Sequence, residues 1–313
     1  MLCVYGKGLR GDRQIEKPLL LLGSMLRCCR AGFGPSPLGY RSAVERIGHS
    51  IGHCKRYGNQ SFCVSLSSWY SSVMRQLIRE NTSLRRLYYR LKSLRSRGQS
   101  NESRILSELA RDAPRTFIEF GFHPIEFNCA ALARNPAWRG LLIDGSLRQV
   151  EDARAILPSH VEAVQSVLAL DNLDLIRSKF KQLGVLSIDV DGNDYWFLKA
   201  LIDINPTVIC VEYNASFGLE PISVPYDPTF DRHEKHPSGW YHGASLTAVA
   251  KLCASNGYGL AAISDAGANA FFTRTGKLDP VTSWRPNTLR DQWSGTNAQE
   301  QYLSIRGLPF VEV

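Results

Sequence analysis

Val185 to Trp196 reads VLSIDVDGNDYW. Its first half is an unbroken apolar run of strand length, the pattern of a central strand covered on both faces. Its second half carries three carboxylates, Asp189, Asp191 and Asp194, around the turn-formers Gly192 and Asn193. In an open parallel α/β sheet, ligands bind in the crevice beyond the carboxyl ends of the strands. Acids at such an end could hold a metal, act as bases, bind ribose or cap the next helix.

Working outward, the same alternation continues on both sides. Upstream, Thr116–Gly121 (TFIEFG), Gly140–Asp144 (GLLID) and Val161–Val167 read as strands. Helices are expected over Glu126–Arg134, Ser146–Ile156 and Leu173–Leu183. Downstream, a helix from Asp194 to Ile202 leads to a fifth strand, Thr207–Tyr213 (TVICVEY). Five β–α repeats of this length predict a doubly wound, mostly parallel α/β sheet. The rhythm then breaks at a long polar, aromatic and proline-bearing insertion, Asn214–Tyr241, before a helix over Ala244–Ser255. Tyr258–Ser264 and Asn269–Arg274 are strands close enough to pair as an antiparallel hairpin. Residues 103–274 thus form the α/β domain, and 275–313, which lack a clear period, are expected to pack on it as a tail.

The 313 residues are 44% apolar and 21% charged, which excludes wholesale disorder. Net charge is unevenly placed: residues 1–100 hold 18 Lys/Arg against 4 Asp/Glu, a balance of +14, while the remainder carries −6. A basic arm for an acidic partner or membrane surface suits that asymmetry better than a specific nucleic-acid-binding core. Residues 1–70 are irregular, and 71–102 read as a basic amphipathic helix followed by a polar linker. In that helix Val73, Leu77, Leu84, Leu87, Leu91 and Leu94 form a seam at 3–4 spacing. The seam could pack on the chain's own domain, on a second copy or partner protein, or at a membrane surface. The eight cysteines include no CxxC pair, and Cys129, Cys210 and Cys253 read as reduced core thiols. His49, His53, Cys54 and Cys63 match no zinc spacing. Pro18–Leu26 is too short to span a bilayer and lacks the flanks of a signal peptide, so a cytoplasmic location is expected.

The predicted strand ends gather Glu119 and Gly121, Asp144, Asp171 with Asn172, Asp189 with Asp191, and Glu212 with Asn214. Burying unpaired carboxylates is costly, so such a row normally faces ligand, metal or water. Asp144 follows Glu119 by 25 residues, near the offset at which a second-strand acid reaches a nucleoside ribose. The glycine-rich phosphate loop is absent: only Gly121 stands in the first turn, followed by Phe122 and His123. A nucleoside cofactor without phosphates therefore fits better than a dinucleotide.

FIEFGFHP, LLIDGS, VLSIDVDGNDYW and VICVEYNASFG, in this order and spacing, resemble the motifs of class I S-adenosylmethionine-dependent methyltransferases. The pattern is nearest to the FkbM-type group with its sugar- and polysaccharide-modifying relatives. The resemblance covers 103–274 and implies a Rossmann-type seven-stranded sheet ending in a hairpin. It implies S-adenosylmethionine as cofactor and O-methylation of a sugar or polysaccharide-type hydroxyl. Glu119 and Gly121 would contact the methionine part, Asp144 the ribose, Asp171 and Asn172 the adenine, with Asp189 facing the acceptor. The first motif lacks the family's second and third glycines.

For a hydroxyl acceptor a base or a metal would raise nucleophilicity. Asp189, Asp191 and Glu212 could hold Mg²⁺, while Asp194 is expected to cap its helix. Tyr226–His242 is the candidate acceptor site, with His233, His236, Trp240 and Tyr241 for binding and His242 as base beside Asp189. Two other readings are a metal-dependent nucleotide-sugar glycosyltransferase using Asp189 and Asp191 as a DxD, and a non-catalytic scaffold.

Overall fold

The computed structural model describes residues 76, 78, 80–93 and 100–313. Region 1–70, the cluster His49, His53, Cys54 and Cys63, and seam positions Val73, Leu77 and Leu94 lie outside the described residues. The chain divides into two units, Met1–Glu80 and Asn81–Val313, and the sheet lies wholly in the second.

Five strands run parallel: β1 (Thr116–Phe120), β2 (Arg139–Asp144), β3 (Val161–Gln165), β4 (Val185–Ile188) and β5 (Val208–Glu212). A two-residue strand, β6 (Ile222–Ser223), lies outside this sheet. β7 (Gly259–Ile263) and β8 (Asn269–Thr273) form the hairpin, and β8 alone is antiparallel to the rest. The order is β3-β2-β1-β4-β5-β8-β7, the seven-stranded sheet ending in a hairpin that the sequence motifs imply. Period-two alternation divides the core. Ile118, Phe120, Leu186, Ile188, Ile209 and Val211 face one layer, packed with the helices Asp194–Leu201 and Leu246–Ser255. Phe117, Leu142, Val185, Val208, Cys210 and Phe271 face the other, under the helices Glu102–Leu109 and Leu147–Ile156. Cys129, Cys210 and Cys253 are buried free thiols.

The helix expected over Glu126–Arg134 is shorter, Ala130–Ala133. The cause lies in β1: Glu119 accepts the Asn128 and Cys129 N–H groups at 2.7 and 2.8 Å and fixes the preceding loop. The tail carries three short helices, Pro280–Ser283, Thr288–Ser294 and Ala298–Ile305, and β9 (Val311–Glu312), which pairs with β6. Phe217, Ile222, Val224, Tyr241 and Ile305 close a small separate core there. Among the described residues no helix is long and apolar enough to cross a membrane.

The basic helix is Thr82–Ser93, and its docking face differs from the leucine seam. Leu87 and Leu91 are exposed, whereas Arg85 is buried. Arg85 grips Asp152 of the Leu147–Ile156 helix through Nε and through a terminal nitrogen at 3.1 Å, and Arg86 Nε reaches the same carboxylate at 3.1 Å. Arg90 donates to the Ala155 carbonyl at 2.9 Å. The receiving surface presents an acid rather than an apolar groove, so the helix turns its charged face inward. Breaking a buried ion pair by removing one partner costs about 3–5 kcal/mol. Asp152→Ala is therefore expected to accelerate amide exchange across 82–93 while protection in β1–β5 persists; unchanged exchange in the helix would contradict this docking.

Candidate functional site

The sheet reverses its winding between β1 and β4, which places a crevice at their carboxyl ends. Asp189 N–H bonds the Phe120 carbonyl at 3.1 Å, so the two chains leave the sheet in contact. Gly121 follows with φ +73°, and a Cβ there would stand 1.4 Å from the Asp189 carbonyl oxygen. No other residue fits. The next turn holds Asp191 in a left-handed conformation, φ 54°, uncommon outside glycine. Asp194 stabilises that turn by accepting the Val190 and Gly192 N–H groups at 2.8 and 3.0 Å. It reaches backward to shape the loop instead of capping its own helix.

A cavity of about 410 Å³ opens here, walled by Gly121, His123, Asp144, Gln149, Asp189 and Phe230 and by the stretch Ser166–Leu168. Asp144, at the end of β2, accepts the Ser146 N–H at 2.7 Å and the Phe122 N–H at 3.3 Å. Each carboxylate oxygen keeps acceptor capacity for a hydroxyl. Burial raises its pKa. Gln149 Oε1 and His123 Nδ1 belong to cavity-lining residues and are buried without a hydrogen-bond partner. Such orphaned atoms suit a polar ligand. The loop amides that would cradle a pyrophosphate are engaged internally: Gly121 N–H bonds Ile143 O at 3.1 Å and Phe122 N–H bonds Asp144. His123 Nε2 lies 3.3 Å from the Tyr89 hydroxyl of the basic helix.

Several expected residues stand elsewhere. Glu119 lies beneath the cavity, 1% exposed, with both oxygens on the Asn128 and Cys129 amides. Its role here is to hold the loop; desolvation raises its pKa to about 7 despite those bonds. Asp171 and Asn172 are exposed and outside the lining, and Asn172 shapes its turn through Ala169 N–H and Val167 O. The wall on that side is Ser166–Leu168, at the end of the expected third strand. His233 is exposed, and His236 Nδ1 is bound to the Ser238 hydroxyl at 2.7 Å. Trp240 is half-buried and Tyr241 is core, its hydroxyl on the Pro309 carbonyl. None of these four lines the cavity. The insertion contributes Pro228 and Phe230 instead, with Phe230 seated where a Cβ on Gly192 would lie. Tyr226 hydroxyl accepts the Leu170 N–H at 3.0 Å, and Arg232 pairs with Asp191, so the strap is fastened on both walls.

The acids do not gather as expected. Asp191, Glu212 and His242 bring ligand-type atoms within 4.8 Å of one another, and Asp189 is not in that group. Asp189 lines the cavity, half-buried, and its pKa is raised well above the usual carboxylate range by desolvation and then by the charges of Glu212 and Asp191. Glu212 is raised by burial and by Asp191 and Asp194, with Arg290 and Arg232 opposing. His242 is wholly buried, and burial with the Arg290 charge holds its pKa well below the ordinary value. A solvent-facing base it is not. Arg290, from the tail helix Thr288–Ser294, donates to His242 Nε2 at 2.8 Å, Asn214 Oδ1 at 2.8 Å and Ser216 Oγ at 3.0 Å. Nothing in the aperiodic tail sequence marks it for this place.

No protein-family model and no curated protein matches the chain. Among solved structures it is similar to an O-methyltransferase from Bacillus cereus in complex with SAH, at 18% identity over 55% of this chain and 78% of that one, TM-score 0.38. Cofactor-bound Rv0187 from MTB is similar at 18% identity, covering 63% and 90%, TM-score 0.42. The O-methyltransferase TomG from Streptomyces achromogenes in complex with SAM is similar at 20% identity, covering 55% and 77%, TM-score 0.39.

Glu119→Gln offers one carbonyl oxygen where two N–H groups need acceptors, and an unsatisfied buried donor costs about 1–3 kcal/mol. Urea unfolding followed by circular dichroism should show that loss. Unchanged stability would contradict the loop-holding role.

Proposed function

We propose that this chain is an S-adenosylmethionine-dependent methyltransferase acting on a hydroxyl group. The observation that carries the reading is Asp144: an acid at the end of β2, facing the crevice at the β1/β4 reversal, beside a loop whose amides are not free for phosphates. That combination suits a nucleoside whose ribose is bound and whose other end is not a diphosphate. Gln149 and the Ser166–Leu168 wall would flank the base, and Gly121 with His123 would lie along the amino-acid end. The same features disfavour a nucleotide-sugar glycosyltransferase, and Asp191 of the would-be DxD already pairs with Arg232.

The acceptor oxygen would approach past Phe230 and Asp189. S-adenosylmethionine bound there would supply the methyl group to that oxygen and leave as S-adenosylhomocysteine, the carbon–sulfur bonding electrons staying with sulfur. Asp189, in the cavity wall beside the acceptor's path, would take the hydroxyl proton. Positioning supplies much of such a rate enhancement. A saccharide-type acceptor and the FkbM-type branch rest on the sequence motifs, and the Phe230 ring offers the apolar face that a sugar can stack on.

Calorimetry with S-adenosylhomocysteine tests this reading. Saturable binding that weakens at least about tenfold, about 1.4 kcal/mol, in Asp144→Ala is expected. Absence of binding to the wild-type protein, or tighter binding of a UDP-sugar, would overturn it.

A further inference from the structure

The Asp191, Glu212 and His242 group has the composition of a divalent-cation site. Two of its atoms, Glu212 Oε2 and His242 Nδ1, are buried without hydrogen-bond partners and stand 3.7 Å apart. Whether a metal fits depends on the imidazole tautomer. A guanidinium has only donors, and Arg290 presents one to His242 Nε2 at 2.8 Å. Nε2 must therefore carry the lone pair, and the proton of the neutral ring sits on Nδ1, turned toward Glu212. A metal at Nδ1 would need the lone pair there, which would set an Nε2–H against the Arg290 N–H. Arg290 is not free to withdraw, since Asn214 Oδ1 and Ser216 Oγ hold its other terminal nitrogen. With His242 removed from the ligand set, two carboxylates remain. Asp191 is already paired with Arg232. Mg²⁺ at Asp189, Asp191 and Glu212 fares no better, because Asp189 stands outside the group.

We propose that Arg290 and Arg232 are the resident cations of this cluster, taking the charge-balancing place of a divalent metal, and that the site binds none. The guanidinium of Arg290 is locked in from the tail, so the tail completes the acidic edge of the sheet. His242 is a positioning residue: its Nδ1–H faces Glu212, and its Nε2 receives Arg290. The proposal stands on the geometry of this cluster and is independent of the cofactor reading; failure of S-adenosylhomocysteine binding would leave it intact.

Two measurements on the 313-residue chain decide it. Long-range ¹H–¹⁵N correlation spectra should show His242 protonated on Nδ1 and bare on Nε2, assigned by its loss in His242→Gln; an Nε2–H tautomer would overturn the proposal. Titration with MnCl₂, followed by water-proton relaxation, should give no saturable binding in the wild type up to about 1 mM, the weak end of specific affinity. Arg290→Met, checked for folding by circular dichroism, frees the His242 lone pair and is expected to gain Mn²⁺ binding at least about tenfold. Wild-type binding in the micromolar range that is abolished by Glu212→Gln would overturn the proposal, and should Arg290→Met fail to fold, the wild-type titration and the His242 tautomer carry the decision.

Discussion

Everything at the crevice depends on the absence of a side chain at Gly121. The Asp189 carbonyl occupies the space a Cβ would take, 1.4 Å away, so β1 and β4 leave the sheet closer together than any other residue would permit. This contact sets the direction of the loop through Phe122 and His123 and aims the Asp189 side chain at the cavity. It also brings Phe122 N–H onto Asp144, so the turn after β1 and the acid after β2 are one rigid unit. Preorganisation of this kind lowers the ordering cost of any ligand bound there.

Around that contact, the acids are separated by the partners that burial demands. Glu119 and Asp194 take two backbone N–H groups each, and Asp191 takes Arg232. Glu212 faces His242 and the field of Arg290. Asp144, which also takes two N–H groups but keeps acceptor capacity on each oxygen, and Asp189 line the cavity, beside the Arg232-paired Asp191. A buried polar group needs a hydrogen bond or a counter-charge, and each acid's role follows from which of these its neighbours can supply. A row of similar residues in sequence thus becomes three kinds of residue in space: loop holders, charge-balanced neighbours and cavity-facing acids.

The sheet was legible because its information is local. Apolar runs of strand length, turn residues and regular spacing specify the elements, and Asp144 could be placed because it ends a strand. The site was less legible because its partners are distant. Glu119 looks like a ligand until Asn128 and Cys129 turn their amides to it. The Thr82–Ser93 helix shows a leucine seam, yet it docks by Arg85 because Asp152 lies 67 positions away. Tyr241 reads as a stacking residue, but β6–β9 pairing draws it into a core with Ile305 and the Pro309 carbonyl. Arg290 sits in a stretch with no period at all.

A crystal structure of the protein with S-adenosylhomocysteine tests the central claim most directly. The ligand is expected in the β1/β4 crevice, its ribose hydroxyls on Asp144 and its adenine against Ser166–Leu168. A ribose held by other groups, or a ligand outside this cavity, would contradict it.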